Sequence, residues 1–136
     1  MKKVLYIVMF ALAAFVGCKK INSPITLEQM LQDQWRGSET SVDAAIYINF
    51  MADHTFELFQ KLDTDQFELR RGTWSLEGDI LSGTYDDGQP WAASYKISIE
   101  GTDPAMLTMT SLNEGGETNV YLSCSIPDGV RENCTQ

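Results

Sequence analysis

The chain has 136 residues, with 19 acidic and 10 basic side chains and one histidine, for a formal charge of −9 at neutral pH. That balance repels phosphate backbones and supplies no counterion-release term, which excludes nucleic acid as a natural partner. One histidine and the two cysteines of the tail, which are expected to be bridged to each other, do not supply the ligands of a catalytic zinc centre, so no metal and no other cofactor is expected.

The amino terminus reads as a targeting segment. Lys2 and Lys3 precede an uncharged apolar run over residues 4–16, which ends at Gly17 and Cys18. A basic start, a short apolar stretch and small residues at its end are the layout of a secretory signal, and the run falls short of the about 20 residues a membrane-spanning helix needs. Residues 1–17 are expected to be removed, which takes away two basic and no acidic side chains and leaves a formal charge of −11 on residues 18–136. What is left suffices for one domain with one core. Val16-Gly17-Cys18 resembles the lipobox of bacterial lipoproteins. The resemblance implies cleavage before Cys18, a diacylglycerol on its thiol and a third acyl chain on the new amino terminus. Three chains make release negligible, since each buried methylene contributes about 0.8 kcal/mol.

Residues 18–25 form a tether, and residues 26–136 the folded domain. Thr26 with Gln29 fits a helix capping box, and Leu27, Met30 and Leu31 share one face at spacings of three and four, so one short helix is expected. From Gln34 the period changes to two, broken by turn residues about every ten positions. Strands are predicted over residues 34–40, 45–51, 55–62, 66–76, 80–85, 91–100, 106–112 and 118–126. The turns fall at Ala52-Asp53-His54, Glu77-Gly78-Asp79, residues 86–90, residues 101–104 and residues 113–116. Eight antiparallel strands with short connections leave exposed edges when flat and none when closed, so an all-β, eight-stranded up-and-down barrel is expected. A barrel of that size is just wide enough to be filled by side chains or to hold one small ligand.

The tail carries Cys124 and Cys134 on either side of Pro127-Asp128-Gly129, a strong turn signal. Outside the cytosol a Cys124–Cys134 disulfide is expected to staple the tail, contributing roughly 2.5 to 3 kcal/mol in the chain-entropy model. Two free thiols are the alternative that spacing leaves open.

The segments LQDQWRG at residues 31–37, INFMADHTFEL at 48–58 and GTWSLEGDILSGTY at 72–85 resemble the small lipocalin-like lipoproteins common in Bacteroidetes. Trp35 matches the first-strand tryptophan of lipocalins, with Asp33 where they carry glycine. The resemblance implies a single barrel behind a lipid anchor at Cys18, holding a small apolar or amphipathic molecule. It also implies a cell-envelope location, with outer membrane facing the periplasm favoured because Lys19 and Lys20, and no acidic stretch, follow the cysteine.

No enzymatic constellation stands out. His54 sits in a turn beside Asp53, there is no G-x-S-x-G elbow, and neither Asp86-Asp87-Gly88 nor Asp63-x-Asp65 matches a calcium loop. Non-enzymatic binding is therefore the leading expectation, with Trp35, Phe50, Phe56, Trp74, Tyr85, Trp91 and Tyr95 as candidate ligand contacts. A solid barrel acting as a protein-interaction module is the alternative; its contacts would be acidic loops such as residues 86–90 and 113–118. At most one of Arg70 and Arg71 can face the interior, because successive strand residues alternate. An inward arginine would suit an anionic head group; an outward one would pair with the many acids, which is the expectation taken.

Overall fold

The computed structural model describes residues 24–38, 45–61 and 66–135. The expected signal segment and Cys18, the expected lipidation position, lie outside the described residues. Thr26 opens helix α1 (Leu27–Leu31) with the expected capping box: its hydroxyl accepts the Gln29 N–H and the Gln29 side chain accepts the Thr26 N–H. Leu31 is fully buried, whereas Met30 is exposed, so the buried face is narrower than the spacing suggests.

Eight strands follow: β1 (Gln34–Gly37), β2 (Ile46–Phe50), β3 (Thr55–Lys61), β4 (Phe67–Glu77), β5 (Ile80–Tyr85), β6 (Tyr95–Glu100), β7 (Met106–Ser111) and β8 (Thr118–Ser123). Each pairs antiparallel with the next, and β8 pairs back onto β1, which closes the up-and-down barrel. Gly78, at φ 63°, supplies the left-handed residue of the β4–β5 turn. His54, at φ 67°, does the same in the β2–β3 turn, where Asp53 accepts the Thr55 N–H.

Two stretches depart from the alternation pattern. Residues 91–94 are not strand: β6 starts only at Tyr95, and Trp91 instead donates its N–H to the Gly83 carbonyl at 2.9 Å. The tail is not a stapled turn either. It forms a second short helix, α2 (Asp128–Glu132), and a ninth strand, β9 (Cys134–Thr135), which pairs parallel with the start of β4. Ile126 and Val130 anchor it by burying against Ala45, Tyr47, Phe59 and Leu69 on the outer face of the barrel. Arg131 adds a 3.0 Å ion pair to Glu57. This packing holds the two sulfurs in different settings, so the expected Cys124–Cys134 disulfide is corrected to two free thiols. Cys124 is exposed beside the Ser125 carbonyl, and Cys134 is half-buried beside the Arg131 carbonyl.

Inside the barrel, the end nearest α1 is filled. Leu31, Trp35, Phe50, Trp74, Leu81, Ile97 and Leu107 form a core in which none exceeds 3% exposure. Withdrawing each such side chain from water contributes about 1.5–3 kcal/mol.

Candidate functional site

Strand parity decides which side chains meet inside. Cross-strand partners share a face, and the register pairs Ile48 with Leu58, Phe50 with Phe56, Phe56 with Gly72 and Leu107 with Tyr121. Towards α1 these positions carry large residues that interlock. Towards the other end, where the β5–β6 and β7–β8 connections lie, they leave a cavity of about 200 Å³.

Its walls are mostly apolar. Ile46 and Ile48 of β2, Phe56 and Leu58 of β3 and Met109 of β7 line it, with Trp91 and Ala92 from the β5–β6 connection at its mouth. The polar groups are few: the Gln60 amide and the phenols of Tyr85, Tyr95 and Tyr121. Burial pushes the Tyr121 hydroxyl up to about 12, with Tyr95 adding to the shift. Tyr95 moves the same way, first from burial and then from Tyr85 and Glu117. Both phenols are therefore protonated at neutral pH and able to donate hydrogen bonds. Apolar walls with a few placed donors are the ordinary make-up of a small-molecule site.

Trp91 is held in place by an absence. A Cβ on Gly83 would stand 2.3 Å from Trp91 Cε2, so only glycine lets the indole lie across β5. From there its ring meets Phe56 edge-on at 5.2 Å and Tyr95 at 6.2 Å. Gly72 gives similar clearance to Phe56, whose Cε1 would lie 2.8 Å from a Cβ there. Phe56 in turn meets Tyr85 at 5.8 Å.

Of the seven aromatic residues expected to touch ligand, Phe56, Tyr85, Trp91 and Tyr95 line the cavity. Trp35, Phe50 and Trp74 do not, because they belong to the packed core. Trp35 donates its indole N–H to the Leu31 carbonyl at 3.0 Å, tying α1 to the barrel. Trp74 donates to the Met51 and Thr55 carbonyls and packs edge-on against Phe50 at 5.9 Å. His54 lies flat on Trp74 at 4.4 Å, with its Nε2 3.3 Å from Glu28. It is a turn residue that joins α1 to the closed end and stands away from the cavity. The aliphatic lining, Gln60 and Tyr121 were not singled out from sequence. Their signal was parity: Ile46 and Ile48 on β2, and Leu58 and Gln60 on β3, continue the faces of Phe50 and Phe56.

The two arginines separate as alternation requires, but the inward one is real. Arg70 pairs in register with Leu58 and so stands on the interior face, with its guanidinium 3.6 Å from the centre of the Tyr85 ring. Arg71 points outward and lies 3.7 Å from Glu57. Both border a second cleft of about 310 Å³, where the edge of β4 runs between the end of β5 and β9. Tyr85 lines cleft and cavity alike. Asp87 in the adjoining turn accepts the Gln89 N–H, the turn chemistry its sequence allows. Among the described residues no three His, Cys, Asp or Glu side chains gather as a metal site would require.

A closed eight-stranded barrel with a filled base, an outer carboxy-terminal helix and a part-apolar cavity at the mouth defines a lipocalin-like binding fold. Residues 26–103, more than half of the chain, match the lipocalin-like domain, and the chain belongs to that family. No curated protein and no solved structure matches it.

Proposed function

We propose that this protein is a lipid-anchored, lipocalin-like binding protein of the bacterial cell envelope, which takes up one small amphipathic molecule and performs no chemistry on it. The observation that carries the reading is the change along the barrel axis from a close-packed base to a cavity of about 200 Å³ lined by aliphatic side chains, three phenols and one amide. At roughly 20–30 Å³ for each non-hydrogen atom, that volume suits about seven to ten such atoms, well short of a long-chain lipid. Trp91 and Ala92 stand at the mouth, and an incoming molecule passes them.

Anchorage rests on the sequence of residues 1–18. With three acyl chains on Cys18 the barrel would stay on its membrane, and the acidic surface of residues 18–136 would keep it clear of anionic head groups. Palmitate labelling and membrane fractionation test this part directly: wild type should label and sediment with membranes, and Cys18→Ser should do neither.

Binding is tested by titrating the full chain with 1-octanol while following tryptophan fluorescence. Trp91 lines the cavity, whereas Trp35 and Trp74 sit in the core, so a saturable response should appear in wild type and vanish in Trp91→Phe. Calorimetry on both proteins separates loss of signal from loss of binding. No saturable binding by either method would refute the proposal.

A further inference from the structure

Arg70 is an interior-facing cation with no carboxylate within 4 Å among the described residues. The ion pairs among the described residues use Arg71, Arg131 and His54. Its guanidinium lies on the face of Tyr85, the ring that also forms part of the cavity wall. Leu58, its register partner, lines the same cavity. Arg70 lines the second cleft, and its guanidinium stacks on the Tyr85 ring that this cleft shares with the apolar cavity, an arrangement that leaves N–H donors for a ligand reaching past that ring. The neighbouring phenols add donors and no competing negative charge.

From this geometry we infer that the cavity selects a monocarboxylate, with its apolar body against Ile48, Leu58 and Met109 and its carboxylate on the Arg70 guanidinium beside Tyr85. The inference rests on the binding role proposed above and names the head group it takes. A planar carboxylate matches the two parallel N–H groups of a guanidinium in a bidentate pair. The surroundings also set an upper limit on charge. Glu68, Asp86 and Asp87 border the cleft that holds Arg70, so a single negative charge is neutralised there while a second meets three acids. A monoanion is admitted; a phosphate dianion or a polyanion is disfavoured.

The test uses three probes with one body, octanoate, 1-octanol and octyl phosphate, titrated calorimetrically into the full-length chain at pH 7.5. Wild type should bind octanoate about tenfold or more tightly than octanol, the usual worth of a charge-assisted pair, and octyl phosphate more weakly than octanoate. Arg70→Gln, which keeps the stem and hydrogen-bond donors, should bring octanoate and octanol within about twofold of each other while octanol binding holds. Arg70→Lys, with a charge but no fork, should keep part of the preference, and it stands in if the glutamine variant does not fold. Lys96→Met, an exposed charge on β6, should leave the preference as in wild type. An octanoate preference that survives in Arg70→Gln, equal binding of octanoate and octanol in wild type, or octyl phosphate binding most tightly would each overturn the inference while leaving the binding role intact. Failure of every probe to bind would overturn both.

Discussion

Replacing Gly83 by alanine tests whether the mouth of the barrel is built around the Trp91 indole. The new methyl would stand 2.3, 2.5 and 2.7 Å from three ring atoms, all of them part of a rigid bicyclic system that cannot bend away at its end. The ring must be displaced by about 1 Å or more to restore ordinary contact. It would then lose its edge-on contacts with Phe56 and Tyr95, worth about 0.5–1.5 kcal/mol each beyond their buried area. Overpacking of this kind costs typically 1–3 kcal/mol, and Gly83→Ala is expected to fall in that range. Strand residues favour alanine over glycine by up to about 1 kcal/mol, so the clash must exceed a gain of opposite sign. The assay is a double-mutant cycle by urea denaturation with Trp91→Ala. In that background the methyl meets no indole, and Gly83→Ala should be neutral or stabilising. A coupling of about 1.5 kcal/mol or more between the two sites is expected. Equal effects of Gly83→Ala in both backgrounds would refute the reasoning, because the cost would then lie in the strand backbone.

Glu57 links the tail to the barrel, and its removal should show a pH signature. Burial pushes its carboxyl up, but hydrogen bonds from Asn49 and Arg131 and the charges of Arg131 and Arg71 outweigh that and hold it below the ordinary carboxylate value. A depressed carboxyl contributes stability that is present above its unfolded value and lost as pH falls through the folded one. Glu57→Gln should therefore cost about 1–2 kcal/mol at pH 7 by urea denaturation, with the gap from wild type closing as pH falls through the lowered carboxyl value. Val130→Ala should cost about 1–3 kcal/mol and raise amide exchange at Phe67, whose N–H is held by the Asn133 carbonyl at 3.0 Å, ahead of exchange in the barrel base. Trp74→Phe keeps the ring contact with Phe50 and strips the donor from the Met51 and Thr55 carbonyls; a loss of about 1–3 kcal/mol in chemical denaturation is expected. Trp91→Ala should spare most of the stability and weaken octanol binding, a split visible by running denaturation and calorimetry on the same sample.

The barrel was legible because its signals are local. Alternation at residues 46–50 and 55–61, Gly78 in its turn and the Thr26 capping box each specify their element within a few residues. The tail was not legible, because Ile126 and Val130 form α2 by burying against Tyr47, Phe59 and Leu69, partners far away in sequence. Trp91 misled for a related reason. Its alternation with Ala93 and Tyr95 suits a strand, yet the space left by Gly83 and the Phe56 ring draw it into the mouth. Aromatic identity did not by itself separate cavity lining from core, since Trp35 and Trp74 satisfy their N–H groups on backbone carbonyls deep in the base. Position along the strand separated core from cavity, and position became readable only once the register was fixed. The same register turned Arg70 inward and left Arg71 beside Glu57, where the outward, acid-pairing role had been the expectation taken.

Native mass spectrometry of the protein purified from its own host, with wild type beside Leu58→Trp, tests the central claim most directly. Leu58 lines the cavity and an indole there fills it. Wild type should carry one small adduct that Leu58→Trp lacks, whereas a bare mass in both proteins, or the same adduct in both, would contradict a ligand held inside the barrel.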